Sequence, residues 1–321
     1  MISGFYAVST AGTDPNKILV DNLTSFAPSL KYMQWSKSNN KIAHTYREVE
    51  QVKGINDVYD FDSPIPDLSV SFSLKHVKLT PYAGSIELGA DAATMIGNHE
   101  AYFIEQAQLI ARDLGMKLER SIFERIVRRS VDTNRRWSMF DSTTLHEQNT
   151  LVAVTWQSKE CCGLYSPVYG KVDSDRLVEL EKLSNGTLYK NLKGVLVYGA
   201  VFKTVLGLLL ANTRMYATVM NVNTEHKDFA KKFPEQMSEV LDEMLINENS
   251  MILMSNRLRT AIGNKYTTHA TGNTLVKFDE KCRLSICGVP VFPSSNIPTK
   301  VDWEKIPSLP QQTNAPIVNE P

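Results

Sequence analysis

The stretch AYFIEQAQLIARDLGMKLERSIFERIVRR, residues 101–129, decides the fold of this chain. Apolar side chains recur in it every three or four residues, which predicts one continuous amphipathic helix. At 1.5 Å per residue this helix would be about 43 Å long, longer than a small domain is wide. The stripe is too irregular for a heptad repeat, so we expect no coiled coil. Its members are Phe103, Ala107, Ile110, Leu114, Leu118, Ile122 and Ile126.

Local signals define the ends and the middle of this helix. Asn98 is a suitable N-cap, and Glu100 in the first turn is favoured by the helix dipole. Gly115, near the middle, predicts a bend or a close crossing by another segment. Two acid–base pairs have the i,i+4 spacing that stabilises a helix, Asp113/Lys117 and Glu124/Arg128.

The segments before this helix change from helical to strand periodicity. TDPNKILVDNLTSF, residues 13–26, predicts a short helix with Pro15 at its first position, on an otherwise extended arm. DLSVSFSLKHVKL, residues 67–79, alternates apolar and polar residues and predicts a strand with one apolar and one polar face. TYREVEQVKG, residues 45–54, predicts a second strand. Together they form a long hairpin-like excursion whose polar face has no evident partner within the chain.

The remainder of the chain alternates apolar strands with helix-like runs. We expect strands in LVAVTWQ, KGVLVYG and SMILMS, and helices in DSDRLVELEKL, in AVFKTVLGLLLA from about Val201, in NRLRTAIGNK, and from Pro234 onwards. The apolar run Gly194–Ala211 is shorter than the about 20 residues that a membrane span requires, and it contains Lys203. Cys282 and Cys287 are expected on opposite sides of one strand.

Composition and charge restrict the classes of function. The chain has 321 residues, 42% hydrophobic and 22% charged, which is ordinary globular composition. Lys+Arg and Asp+Glu both number 35, so the formal net charge is zero. A protein that wraps nucleic acid or binds an anionic membrane usually carries an excess of basic residues. A net charge near zero instead favours association with other copies of the chain.

The sequence contains no recognisable catalytic, phosphate-binding or metal-binding motif, and the histidines lack ligand spacing. We therefore expect no enzyme, no cofactor and no metal. The adjacent Cys161 and Cys162 point apart if they lie on a strand, and we interpret them as small structural residues. A cysteine-dependent enzyme that combines one of them with a distant histidine is the alternative from another class.

Two charged groups are the candidate site residues. The acidic loop between the two hairpin strands could hold a cation or meet basic residues of another subunit. The arginines close to the end of the long helix are predicted to form salt bridges between subunits. The candidate residues are Asp57, Asp60, Asp62 and Asp67 in the loop, and Arg128, Arg129, Arg135 and Arg136 after it.

The order of these segments resembles the major capsid protein of tailed bacteriophages, the Hong Kong-ninety-seven-type fold. The segments that carry the likeness are VKLTPYAGSIELGADAA, the long helix ending in LERSIFERIV, and CRLSICGVPVFPSSNIP. The resemblance implies an α+β fold with an N-terminal arm, an extended β-hairpin loop, a peripheral domain with a long spine helix, and an axial domain. The expected boundaries are 1–40 for the arm, 41–75 for the loop, 76–192 for the peripheral domain with its spine helix at about 98–130, 193–281 for the axial domain, and 282–321 for the return to the peripheral domain and the tail.

The resemblance also implies a function. The chain would be a major capsid protein whose hexamers and pentamers form the icosahedral head around packaged double-stranded DNA. Its partners would be identical subunits, a separate scaffolding protein, a portal and a decoration protein, with no membrane. It would reside in the virion after assembly in the host cytoplasm. The alternatives are another virion subunit, of the tail or the connector, and the shell of an encapsulin-like nanocompartment.

Overall fold

The computed structural model describes residues 15–53, 69–140, 148–167, 178–268, 275–278, 283–302 and 305–306. The helix predicted from residues 101–129 runs from His99 to Asp132 and has 34 residues, which makes it about 51 Å long. We term it the spine helix. Asn98 caps it as predicted, since its side-chain oxygen accepts a hydrogen bond of 3.1 Å from the backbone N–H of Ala101. The predicted apolar stripe is buried, apart from the half-buried Ile110.

Six α-helices and seventeen strands occur in the described residues. The helices are α1 Pro15–Ser25, α2 Pro28–Tyr32, α3 Ala90–Ile96, α4 His99–Asp132 (the spine helix), α5 Phe229–Asp242 and α6 Asn256–Thr268. The strands are β1 Trp35–Lys37, β2 Ala43–Lys53, β3 Ser69–Lys78, β4 Thr80–Gly89, β5 Arg136–Ser138, β6 Gln148–Asn149, β7 Leu151–Thr155, β8 Cys161–Tyr165, β9 Glu179–Lys182, β10 Tyr189–Lys190, β11 Leu196–Leu210, β12 Tyr216–Met220, β13 Ser250–Ser255, β14 Val276–Phe278, β15 Leu284–Ile286, β16 Val289–Ser294 and β17 Lys300–Val301.

The long strand β11 is the centre of a six-stranded sheet. β4 runs antiparallel along one edge of it for ten residue pairs, from Val197↔Gly89 to Leu206↔Thr80. β10, β9 and β8 pair in turn along its other edge, and β1 lies parallel to β8. Alternate residues of β11 enter different clusters, with Phe202 facing the spine helix and Leu209 facing the base of the β2–β3 hairpin. One strand therefore joins the spine to the hairpin.

The helix predicted from about Val201 is wrong, because this segment is the second half of β11. A continuous apolar run has no periodicity that separates a buried strand from a buried helix. Here β4, β9 and β8 supply hydrogen-bonding partners along the run. Lys203 is accommodated by an ion pair of 2.7 Å with Glu181 on β9. In the described residues no helix has both the length and the apolar character of a membrane span.

A seven-stranded sheet forms the second layer, in the order β14–β15–β16–β13–β7–β12–β5. Its central strands β7, β12 and β13 are buried at every residue, which explains why LVAVT, YATVM and SMILMS are continuously apolar. Val152 and Leu253 pack on the cluster of the spine helix, whereas Ala153 and Ile252 pack on the cluster of α5 and α6. The sheet thus joins two cores back to back.

The short helix predicted in the N-terminal segment is confirmed as α1, but the residues after it do not form the extended arm that was predicted. Residues 15–37 form α1, α2 and β1, and α1 packs along the spine helix. Leu19 and Leu23 of α1 are fully buried. The crossing occurs at Gly115, where an added Cβ would lie 1.9 Å from the Leu23 carbonyl oxygen. Of the two predictions for Gly115, a bend or a close crossing, the close crossing is confirmed. Leu19 and Leu23 of α1 pack against the spine helix of their own chain.

Three further local predictions need correction. Residues 179–182 of the expected helix DSDRLVELEKL form strand β9, and its residues 173–177 lie outside the described residues. The helix expected to begin at Pro234 begins at Phe229, so the proline lies inside it. Cys287 lies in a two-residue turn with Gly288, both at positive φ, and not on a strand, while Cys282 lies outside the described residues.

The crossing at Gly115 generates the first prediction. Gly115→Ala should lower the free energy of unfolding by about 1–3 kcal/mol, because its Cβ cannot be placed without moving the α1 backbone. Urea unfolding of the purified protein measures this. The control is Gly84→Ala on β4, where an added Cβ meets nothing within 4 Å. Equal stability of the two variants would contradict the close crossing.

Candidate assembly surfaces

The hairpin β2–β3 is a two-stranded sheet with ten residue pairs, from Ala43↔Lys78 to Lys53↔Ser69. In the described residues neither of its strands pairs with a third strand. Leu74, the last residue of the predicted apolar series, is 44% exposed. It lies on the opposite face of β3 from Val77 and Leu79, which pack on the body. Two strands alone are marginally stable in water, so this hairpin presents unfinished sheet edges and an uncovered apolar side chain.

The base of this hairpin is attached to the body by specific contacts. Tyr46 and Leu79 pack in one cluster with β8 and β11. The side chain of Asn39 donates to the Thr45 carbonyl at 2.8 Å and accepts from the Thr45 N–H at 2.9 Å. The backbone N–H of Asn39 donates to Nδ1 of His44 at 3.3 Å, and burial lowers the pKa of this histidine. The hairpin therefore has an ordered root.

The buried carboxylate of Glu119, on the spine helix, is hydrogen-bonded to two segments that are distant from it in sequence. Glu119 is 1% exposed and accepts hydrogen bonds from the backbone N–H of Ser29 at 3.0 Å and from the Ser29 hydroxyl. It also accepts from the Ser294 hydroxyl and from the side-chain amide of Asn296, the latter at 2.7 Å. The same amide donates to the carbonyl of Phe26 at 2.6 Å. We term these residues the Glu119 clamp.

The clamp explains how the two ends of the folded body are held to the spine helix. Ser29 lies in the first turn of α2, and Ser294 and Asn296 lie where β16 ends. Burial of a carboxylate is costly unless its oxygens are hydrogen-bonded, and here four donors satisfy them. Sequence reasoning missed this cluster. The available signal was an acidic residue one helical turn after Gly115, on the same face of the helix.

The predicted arginines lie close to the end of the spine helix and have contacts within the chain. Arg128 pairs with Asp132 at 3.2 Å, and Glu124 pairs with Arg120, so the predicted Glu124/Arg128 pair is wrong. The predicted Asp113/Lys117 pair is confirmed at 2.7 Å.

The other predicted arginines are Arg129, Arg135 and Arg136. Arg135 pairs with Glu243 at 2.8 Å and lies over the ring of Trp137. Arg129 lies near Lys75 of the hairpin, and burial together with Arg129 lowers the pKa of that lysine. Arg136, on β5, is exposed.

The acidic half of the candidate site, Asp57, Asp60, Asp62 and Asp67, lies outside the described residues. The structure therefore does not bring these carboxylates together with the arginines, and a contact between the two groups stays a prediction. In the parts of the chain that the structure describes, no three His, Cys, Asp or Glu residues are grouped to hold a metal ion.

The adjacent cysteines lie on β8 and point into different cores. Cys161 belongs to the cluster of the spine helix and Cys162 to the cluster at the hairpin base. Both are fully buried, and desolvation raises the pKa of the Cys161 thiol well above its ordinary range. Burial raises the pKa of Cys162 as well. A buried thiol held in its protonated form is a poor nucleophile, which argues against the cysteine-enzyme alternative.

Comparison with solved structures identifies this fold. A chain of bacteriophage Epsilon15 matches with a TM-score of 0.52 and 11% sequence identity, over 81% of this chain and 84% of that chain. A chain of the bacteriophage JBD30 capsid matches with a TM-score of 0.53 and 7% identity, over 90% of this chain and 92% of that chain. The protein therefore has a phage capsid fold, and the expected α+β fold class is confirmed. No protein-family model and no curated protein matches the sequence.

The Glu119 clamp generates the second prediction. Glu119→Gln should lower the free energy of unfolding by about 1–3 kcal/mol, because an amide NH₂ would face donors that now meet a carboxylate oxygen. Hydrogen exchange of residues 26–33 should accelerate. The control is Glu124→Gln, which removes a partly exposed pair and should change stability by less than about 0.5 kcal/mol. Equal effects of the two substitutions would contradict a specific role of the clamp.

The buried thiols generate the third prediction. In the native protein a maleimide should leave Cys161 and Cys162 unmodified, whereas Cys287, which is partly exposed, should react. Site-resolved mass spectrometry measures this, and modification after denaturation is the positive control. Rapid labelling of Cys161 or Cys162 in the folded protein would contradict this prediction and support the cysteine-enzyme alternative.

Proposed function

We propose that this protein is a major capsid protein, a structural and non-enzymatic subunit that assembles with identical copies into a closed shell. The observation that carries the proposal is the fold, which is shared with the two phage structures over 81% and 90% of the chain. The subunit's own geometry supports it. A subunit built along one 34-residue helix, with a hairpin β2–β3 whose strands pair with no third strand in the described residues, suits a shell in which neighbours cover one another.

The hairpin β2–β3 is the element that we assign to contacts between subunits. Leu74 lies exposed on the face of β3 opposite to the one that packs on the body at the root, and in the sequence it follows the alternating apolar residues Val70 and Phe72. A neighbouring copy would cover this apolar face and pair with the open strand edges. The acidic loop, with Asp57, Asp60, Asp62 and Asp67, would then reach basic residues of that neighbour.

The remaining expectations enter the proposal as roles of whole segments. Residues 41–75 form the extended loop, 76–192 the peripheral domain and 193–281 the axial domain, and 282–321 return to the peripheral domain. Hexamers and pentamers of the chain would build an icosahedral head around double-stranded DNA in the virion. A separate scaffolding protein, a portal and a decoration protein are the proposed partners during assembly in the host cytoplasm.

Expression of the chain alone, followed by negative-stain imaging across a range of salt and protein concentrations, tests this function. We expect closed shells with icosahedral outlines, because the chain carries its own interaction surfaces. Rings or tubes would indicate a connector or tail subunit. Shells that enclose a host protein in place of nucleic acid would indicate a nanocompartment. Monodisperse monomers or dimers under every condition would contradict the proposal.

A further inference from the structure

Exposed apolar side chains concentrate at one end of the β4–β11 ladder. β4 ends at Gly89 and leads into α3, and β11 begins opposite it, since Gly89 pairs with Val197. The turn between β10 and β11, residues 191–195, projects at this end, and we term it the tip. Leu192 of the tip is completely exposed, and Met95 of α3 is 90% exposed. The other exposed apolar residues at this end are Leu188, Val195, Leu196 and Ile96.

The tip is held rigidly although its apolar side chain is bare. The side-chain oxygen of Asn191 accepts hydrogen bonds from the backbone N–H of Lys193 at 3.0 Å and of Val195 at 3.1 Å. The side-chain amide of Asn191 donates to Glu87 of β4 at 2.9 Å, which ties the tip to the neighbouring strand. Gly194 provides the positive φ of 76° that the turn requires. A preorganised apolar knob loses little conformational entropy when it binds.

The two halves of this apolar end carry opposite charges. Residues 186–200, around the tip, contain Lys190 and Lys193 and no acidic residue. Residues 79–111, around α3, contain Glu87, Asp91, Glu100 and Glu105 and no lysine or arginine. In the described chain no ion pair joins Lys190 or Lys193 to Asp91. Glu87 is already bound by Asn191 and Glu100 pairs with Lys182, whereas Asp91 of α3 makes no ion pair with the tip of its own chain in the described residues.

We propose that the tip of one copy docks on α3 of a second copy, with Leu192 against Met95 and Lys193 beside Asp91. The contact joins two different surfaces, because a basic half meets an acidic half, so that residue 193 of one copy lies beside residue 91 of the other. This inference rests on the proposed shell function and names a contact through which neighbouring subunits hold one another. It is separate from the hairpin, which is rooted at the opposite end of the β4–β11 ladder, near Leu79 and Val205.

The test compares two exposed leucines. Leu192→Glu should raise the protein concentration needed for assembly by about tenfold or more, as expected for loss of an anchor side chain. The control is Leu245→Glu, since Leu245 is 39% exposed and follows α5, which packs on the other face of the seven-stranded sheet from the spine helix. Light scattering and negative-stain imaging measure assembly, and thermal unfolding verifies that both variants fold. Assembly of Leu192→Glu at the wild-type concentration, or equal impairment of the control, would overturn the inference.

A charge exchange tests whether the tip of one copy meets α3 of another. Lys193→Glu and Asp91→Lys should each weaken assembly alone, because like charges then meet at every contact. A mixture of the two variants should recover assembly, since the acidic tip of one meets the basic α3 of the other. No recovery in the mixture would overturn the tip-to-α3 arrangement. If the wild-type chain itself forms no assemblies, both this inference and the proposed function fail, whereas wild-type shells with unaffected variants reject this inference alone.

Discussion

The spine helix is the constraint on which the other elements depend. Its 34 residues have buried side chains from Phe103 to Ser130, and α1, β11 and β12 pack along it. At Gly115 the backbone of α1 lies against it without an intervening side chain. One turn later Glu119 binds the N-terminal helix pair and the end of β16 through neutral donors. Two segments that are 270 residues apart in sequence, at Phe26 and Asn296, are therefore fixed to one helix.

The hairpin β2–β3 is attached to the body at its root, which is packed and hydrogen-bonded. In the described residues its two strands pair only with each other, so this two-stranded sheet has open edges. In a monomer these open strand edges would favour uncontrolled pairing with other strands. In the proposed shell each hairpin would lie against a defined neighbour, and its open edges would form the specific contact. The equal numbers of acidic and basic residues, 35 each, agree with this proposal, because a net charge of zero does not drive copies of the chain apart.

The sequence predicted the elements whose periodicity is unambiguous. The spine helix, its Asn98 cap, the strands of the hairpin and the glycine crossing follow from local rules. The second half of β11 was predicted as a helix, since a fully apolar run carries no period and only the partners β4, β8 and β9 decide its state. The helix α1 was predicted, but its packing partner, the spine helix, was not. The Glu119 clamp was missed because its four donors come from segments that only the tertiary fold brings together.

Hydrogen exchange of the hairpin strands, residues 43–53 and 69–78, before and after assembly tests the central claim most directly. The account predicts fast exchange of the backbone amides in the outer part of the hairpin in the free subunit, and strong protection of the same amides in the assembled particle. The spine helix should be protected in both states and serves as the internal reference. Equal exchange of the hairpin amides in both states would mean that no neighbouring subunit covers the hairpin, which would contradict the account.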